Sequence, residues 1–177
     1  MSTPKAPDVA KLVVGFFTVE TSLANELIGK LTSFFGPVER ESEWLAFDYT
    51  HYYEKEMGDG LFRKLVSFTN CIAQEDLATI KQTTNEIEKN YTTDGNRRVN
   101  IDPGYLLRER FILATGKNYA HRVYVGNEIY ADVTLLYKEG NFESLPWTYP
   151  DYQSGEIQDF LKKVRDDYVK FLREVKE

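Results

Sequence analysis

Apolar and polar positions along the chain switch between two periods. "KLVVGFFTV", from Lys11, is a short continuous apolar run rich in β-formers, which predicts a buried strand. Leu23, Leu27, Ile28, Leu31, Phe34 and Phe35 then recur at helical spacing. Thr21 or Ser22 can cap that helix, and Gly36-Pro37 stops it. "VERESEWLAFDY" alternates as a second strand with its polar first half nearer an edge. "THYYEKEMGDG" is a polar, aromatic connection with room for one helical turn. A third strand is expected over residues 61–72, then a second helix along Leu77, Ile80, Thr84, Ile87 and Tyr91. After the loop "NYTTDGN", "RRVNI" reads as a short fourth strand. The order so far is β-α-β-β-α-β, that of a ferredoxin-like split βαβ unit, which would bury both helices on one sheet face.

The next segment, "DPGYLLRERFILATG", has two readings. As a helix, Asp102 caps it, Pro103 takes the first helical position and Gly116 lies just past its end. As a strand, the β-rich "RFILAT" forms its centre. The capping pattern favours the helix. "YAHRVYV" and "EIYADVTLLY" then flank Gly126-Asn127, a pair suited to a two-residue hairpin turn. A second turn at "KEGN" leads to a short strand "FESL", and "LPWTYPDYQS" is a Pro- and aromatic-rich connector. Ser154 caps a final helix whose apolar stripe runs through Ile157, Phe160, Leu161, Val164, Tyr168, Phe171, Leu172 and Val175. The predicted class is α+β. It has a mixed, mostly antiparallel sheet with a ferredoxin-like core, an added C-terminal hairpin and a long closing helix. Residues 1–10, with two prolines and no periodicity, read as a flexible tail, and residues 11–177 as a single domain.

Composition adds exclusions. Of the 177 residues, 42% are apolar and 28% charged, ordinary for a globular chain. The apolar runs are far too short to span a bilayer, so no membrane partner is expected. The N-terminus has no apolar core or small-residue cleavage site, which points to the cytoplasm. The single cysteine, Cys71, can neither form an internal disulfide nor supply a metal cage alone. A net charge of −6 argues against general nucleic-acid binding. Residues 95–124 nevertheless hold six bases (Arg97, Arg98, Arg108, Arg110, Lys117, Arg122) against two acids (Asp102, Glu109). Such a patch can focus its field on a small anion. Solvated surface charge is the plainer account of the same patch. Twelve tyrosines offer amphipathic rings for pockets, interfaces and cores alike.

Candidate chemistry is sparse. The Gly116-Lys117 pair is no P-loop, because Phe111 stands where its first glycine belongs and Asn118 where Ser or Thr should follow. With Gly126-Asn127 as the turn, paired positions add to 253, so His121 faces Asp132 with Tyr119, Tyr130 and Thr134 beside them. An imidazole held by a carboxylate suits a general acid or base, so His121 and Asp132 are the catalytic candidates. The same contact also serves as a simple cross-strand ion pair. In "RRVNIDPGY", Arg98 and Asn100 alternate onto one strand face and suit anion recognition, joined by Lys117 and Arg122. Trp147 and Tyr149 can stack on a planar ligand or clamp the last helix. His51, with Asp48 and Glu56 near it in sequence, is too scattered for a metal, so no metal ligand is assigned and no cofactor follows.

"FDYTHYYEKEMG", "RRVNIDPGYL", "LATGKNYAHRVYVGNEIYADVTLLYKEG" and "LPWTYPDYQS", in this order, resemble the blocks of a bacterial family, domain of unknown function 4416. The resemblance runs over nearly the whole chain from Lys11. It implies a small standalone cytoplasmic protein and brings no activity with it. Two functions from different classes are therefore expected: a site for a small anionic or nucleotide-like ligand, with or without catalysis, or an interaction module that homodimerises through exposed aromatics.

Overall fold

The computed structural model describes residues 3–175. Every residue of β1 (Ala10–Thr18) is buried, which is why its apolar run is continuous rather than alternating. Leu12, Val14 and Phe16 pack on α1 (Ala24–Phe35) through Leu27 and Leu31, and on α3 (Leu77–Lys89) through Ile80 and Ile87. Val13 points the other way, into a cluster with Leu161, Val164 and Tyr168 of α4 (Gly155–Glu174). Ser154 caps α4 as expected, its Oγ accepting the Ile157 amide at 3.4 Å. The α4 stripe is buried from Ile157 to Leu172 except for a partly buried Phe171, while Val175 is exposed.

The other strands are β2 (Val38–Glu41), β3 (Leu45–Ala46), β4 (Phe62–Ile72), β7 (Asn100–Leu106), β8 (Arg110–Thr115), β9 (Arg122–Gly126), β10 (Ile129–Lys138) and β11 (Asn141–Ser144). Two residue pairs, β5 (Thr92–Thr93) and β6 (Asn96–Arg97), form a separate ribbon. The main sheet runs β11-β10-β8-β7-β1-β4-β2, with β3 on β4 and β9 on β10. Its pairings are antiparallel. The expected α+β class with a mostly antiparallel sheet holds. The one-turn helix in the polar connection is α2 (Glu54–Met57).

Three local expectations change. "VERESEWLAFDY" divides into β2 and β3, both laid on β4. Residues 103–115 are not a helix but the end of β7 and all of β8, with Asp102 opposite Gly15 in mid-strand. The cap-like Asp-Pro-Gly serves the sheet instead. A Cβ on Gly104 would lie 2.4 Å from the Ile112 carbonyl oxygen, so only glycine lets β8 cross this close. Finally, the hairpin turn is Asn127-Glu128, at φ 53° and 61°, and Gly126 at φ 98° sits opposite Ile129. An irregularity after Ile129 then places Tyr130 against Tyr124 and Asp132 against Arg122.

The feature that makes a site is a split in the sheet. β7 pairs with β1 along its whole length but with β8 only from Gly104 to Leu106. Beyond Gly104 the two strands part. α3 closes the gap from one side: Lys81 donates to the Ile101 carbonyl at 2.8 Å, and the Glu88 carboxylate accepts the Ile101 amide at 2.6 Å. Backbone groups alternate in direction along a strand, so Pro103, two residues on, faces the same gap and has no N–H to leave open.

Candidate functional site

The split widens into a cleft of about 760 Å³, within the size range of small-molecule pockets. Asn100 and Asp102 of β7 form one wall, and residues 113–117 at the end of β8 form the opposite one. Lys81, Asn85 and Glu88 reach in from α3. The aromatic segment between β3 and α2 covers it with Phe47, Tyr49, Tyr52 and Tyr53, and the connector before α4 adds Tyr149, Asp151 and Tyr152. Phe47 stacks on Phe17 at 4.5 Å and Tyr53 meets the same ring edge-on at 4.7 Å, which anchors the cover to β1.

Arg63 of β4 lies at the inner end, 4% exposed. Its guanidinium sits against the rings of Phe17, Phe47 and Tyr152, 2.9 Å from Asp151 and 3.4 Å from Asp102. Asp102 also lies 3.9 Å from the Lys81 ammonium. Arg97 grips Glu56 with two bonds of 2.7 and 2.8 Å and donates to the Asn100 side-chain oxygen at 2.9 Å. That bond fixes the Asn100 amide, whose Nδ2 is buried without a hydrogen-bond partner. Arg63 Nε is in the same condition. Burial pushes the Glu88 and Asp151 carboxyls above their ordinary range and the Tyr53 hydroxyl up to about 12. Bonding from Arg97 holds Glu56 below it.

Of the residues singled out from the sequence, Asn100, Lys117, Asp132 and Tyr149 line the cleft. Arg122 stands behind them: it donates to Asp132 at 2.9 Å, to the Tyr149 hydroxyl at 2.7 Å and to the Lys117 carbonyl at 2.9 Å. The His121–Asp132 contact forms at 3.1 Å, diagonally, because Arg122 takes the directly opposed position. The imidazole is stacked on Trp147 at 4.8 Å with Tyr119 on its other flank, outside the cleft lining. Trp147 also donates to the Val133 carbonyl at 2.8 Å. Tyr130 packs edge-on to Tyr124, away from the cleft. Arg98 does not join Asn100. The strand begins only at Asn100, so the expected alternation fails, and Arg98 pairs with Glu20 at 2.5 Å while Arg97 turns to the cleft.

Arg63, Lys81, Glu88 and Asp151 were not singled out from the sequence, and Arg97 was named only as one base of the patch. One signal was present: Lys81 and Glu88 are seven residues apart and share the buried face of α3 with Leu77 and Thr84. His51 is exposed and pairs with Glu54. Among the described residues no group of three or more His, Cys, Asp or Glu side chains is arranged to hold a metal ion, and no helix is long and apolar enough to cross a membrane.

Fold and site together define an α+β protein whose antiparallel sheet opens between two strands into a polar, aromatic-walled cleft. The chain belongs to the family described as domain of unknown function (DUF4416), whose model matches residues 8–168. No curated protein and no solved structure matches it.

Proposed function

We propose that the cleft is the binding site for a small anionic or nucleotide-like molecule, held by basic and aromatic side chains. The observation that carries this is Asn100: the residue is 6% exposed at the cleft wall, its side-chain oxygen is tied to Arg97, and its nitrogen is left without an acceptor. A buried donor without a partner costs about 1–3 kcal/mol, so a chain that holds one in a fixed orientation has a use for it. Lys117 supplies an exposed ammonium at the mouth, over the Tyr52 ring at 4.9 Å. If the site is also catalytic, Asp132 is the group that reaches the cleft, with His121 bonded behind it to move a proton.

A thermal-shift screen against phosphates, nucleotides and small carboxylates tests the reading. At least one compound should raise the melting temperature, and Asn100→Ala and Lys117→Ala should each reduce that rise. Arg98→Ala, whose side chain lies outside the lining, should leave it intact. No stabilisation by any compound would overturn the proposal, as would a rise indifferent to the two cleft substitutions.

A second reading is supported by one surface. β9 exposes Val123 and Tyr124 by 65% and 59%, and Tyr119 just before it by 66%. A homodimer through this edge would be read by sedimentation velocity and lost in Val123→Lys.

A further inference from the structure

The cations around the cleft are sorted by pairing: Arg63, Lys81 and Arg97 each have a carboxylate beside them, and Lys117 has none among the described residues. From this sorting we infer the direction in which a ligand enters: an uncharged group rich in donors and acceptors occupies the inner end, and its anionic group stays at the mouth beside Lys117. The inference rests on the cleft being a binding site.

Away from Lys117, every cation that lines the cleft already has a carboxylate. Arg63 has Asp151 at 2.9 Å and Asp102 at 3.4 Å, Lys81 has Asp102 at 3.9 Å, and Arg97 has Glu56 at 2.7 Å and Glu88 at 3.4 Å. An anion placed there would lie among these acids with no uncompensated charge to meet it, and would lose its hydration as well. The groups left to bind are of another kind. The Asn100 Nδ2 is a donor in need of an acceptor, and Asp102, 28% exposed, accepts. A neutral group with both acceptors and N–H or O–H donors, such as a heterocycle or a sugar, satisfies this set. Rings of Phe47 and Tyr53 stand beside it.

The mouth is different. Lys117 is exposed and has no carboxylate within ion-pair distance among the described residues. The nearby Asp132 does not cancel it, because Arg122 at 2.9 Å already neutralises that carboxylate. One net positive charge at the rim, in partial solvent, suits one phosphate or carboxylate that need not be stripped of water. Nucleoside monophosphates are the simplest compounds with this polarity.

Titration calorimetry with ribonucleosides, their 5′-monophosphates and inorganic phosphate tests the direction. At least one monophosphate should bind about tenfold more tightly than its nucleoside, the size of one charge-assisted bond. Inorganic phosphate alone should show no measurable binding. Lys117→Glu should remove the tenfold gain and leave the nucleoside unaffected, whereas Asp102→Asn should weaken nucleoside and monophosphate alike. If a nucleoside is too weak to measure, the loss of monophosphate affinity in Lys117→Glu reads the same gain. A gain that survives Lys117→Glu would overturn the inference, as would inorganic phosphate binding as well as the monophosphates. If no nucleoside or monophosphate binds, a parallel panel of ribose 5-phosphate, citrate and glutamate separates the two claims. Binding there that Asn100→Ala abolishes removes the inferred direction but keeps the cleft as a site. Silence across both panels removes both.

Discussion

Glu88 accepts the backbone amide of Ile101 at 2.6 Å, a side-chain bond made where a neighbouring strand would ordinarily pair. Lys81 completes the substitution by donating to the Ile101 carbonyl. A helix thus satisfies one edge of β7, and the sheet can stay open there without orphaned backbone groups. Lys81→Met keeps the apolar stem and removes the ammonium, leaving a buried carbonyl without a partner and Asp102 with Arg63 alone. The expected cost is about 2 kcal/mol in urea denaturation. An unchanged midpoint would mean that water enters the split and replaces Lys81.

The same residue sets a pH dependence. Burial, more than any other influence, raises the Glu88 carboxyl above its ordinary range, against the opposing pull of Lys81 and the Ile101 amide. The folded chain therefore holds this proton more tightly than the unfolded chain does. Its contribution to stability is full at low pH and is lost as pH rises through the folded pKa. Glu88→Gln cannot ionise, so its melting temperature should gain on that of the wild type as pH rises from the ordinary glutamate range toward neutrality. A difference that shrinks over that interval would contradict the assignment.

Asp132 holds the rim together. Its carboxylate, 2% exposed, receives Arg122 and His121 and lies 3.3 Å from the Thr134 hydroxyl. Asp132→Ala leaves a buried guanidinium uncompensated and should cost about 3 kcal/mol. His121→Ala should cost less, since Arg122 still pairs with Asp132. Guanidinium denaturation of the two variants gives the order directly.

Gly104 marks the point where β7 and β8 part. Gly104→Ala forces a methyl against the Ile112 carbonyl at 2.4 Å and should destabilise by about 3 kcal/mol. Because the strain falls at the hinge of the split, hydrogen exchange should quicken first in β8. Uniform exchange across the sheet would argue against a local origin.

The strands and helices that report burial through local pattern were legible. β1 is apolar throughout because both its faces are covered, α1, α3 and α4 carry one buried stripe each, and Ser154 caps α4. The hairpin could be placed from "VGNEI" alone, but not its register. The irregularity after Ile129 in the pairing of β10 with β9 goes with an Asn127-Glu128 turn, and that one residue of slip exchanged His121 for Arg122 opposite Asp132.

Four of the site residues proposed from the sequence reached the cleft, and the buried Arg63 and its partners did not show. Composition and periodicity determined by themselves that this chain builds an α+β core, since they register which faces meet water. The cleft was decided elsewhere. It exists because β8 abandons β7 after Gly104, and Arg63, Lys81, Arg97 and Asp151, from four different segments, converge on the opening. No local pattern encodes that convergence, because a buried charge is tolerated only by partners that tertiary structure alone brings within reach.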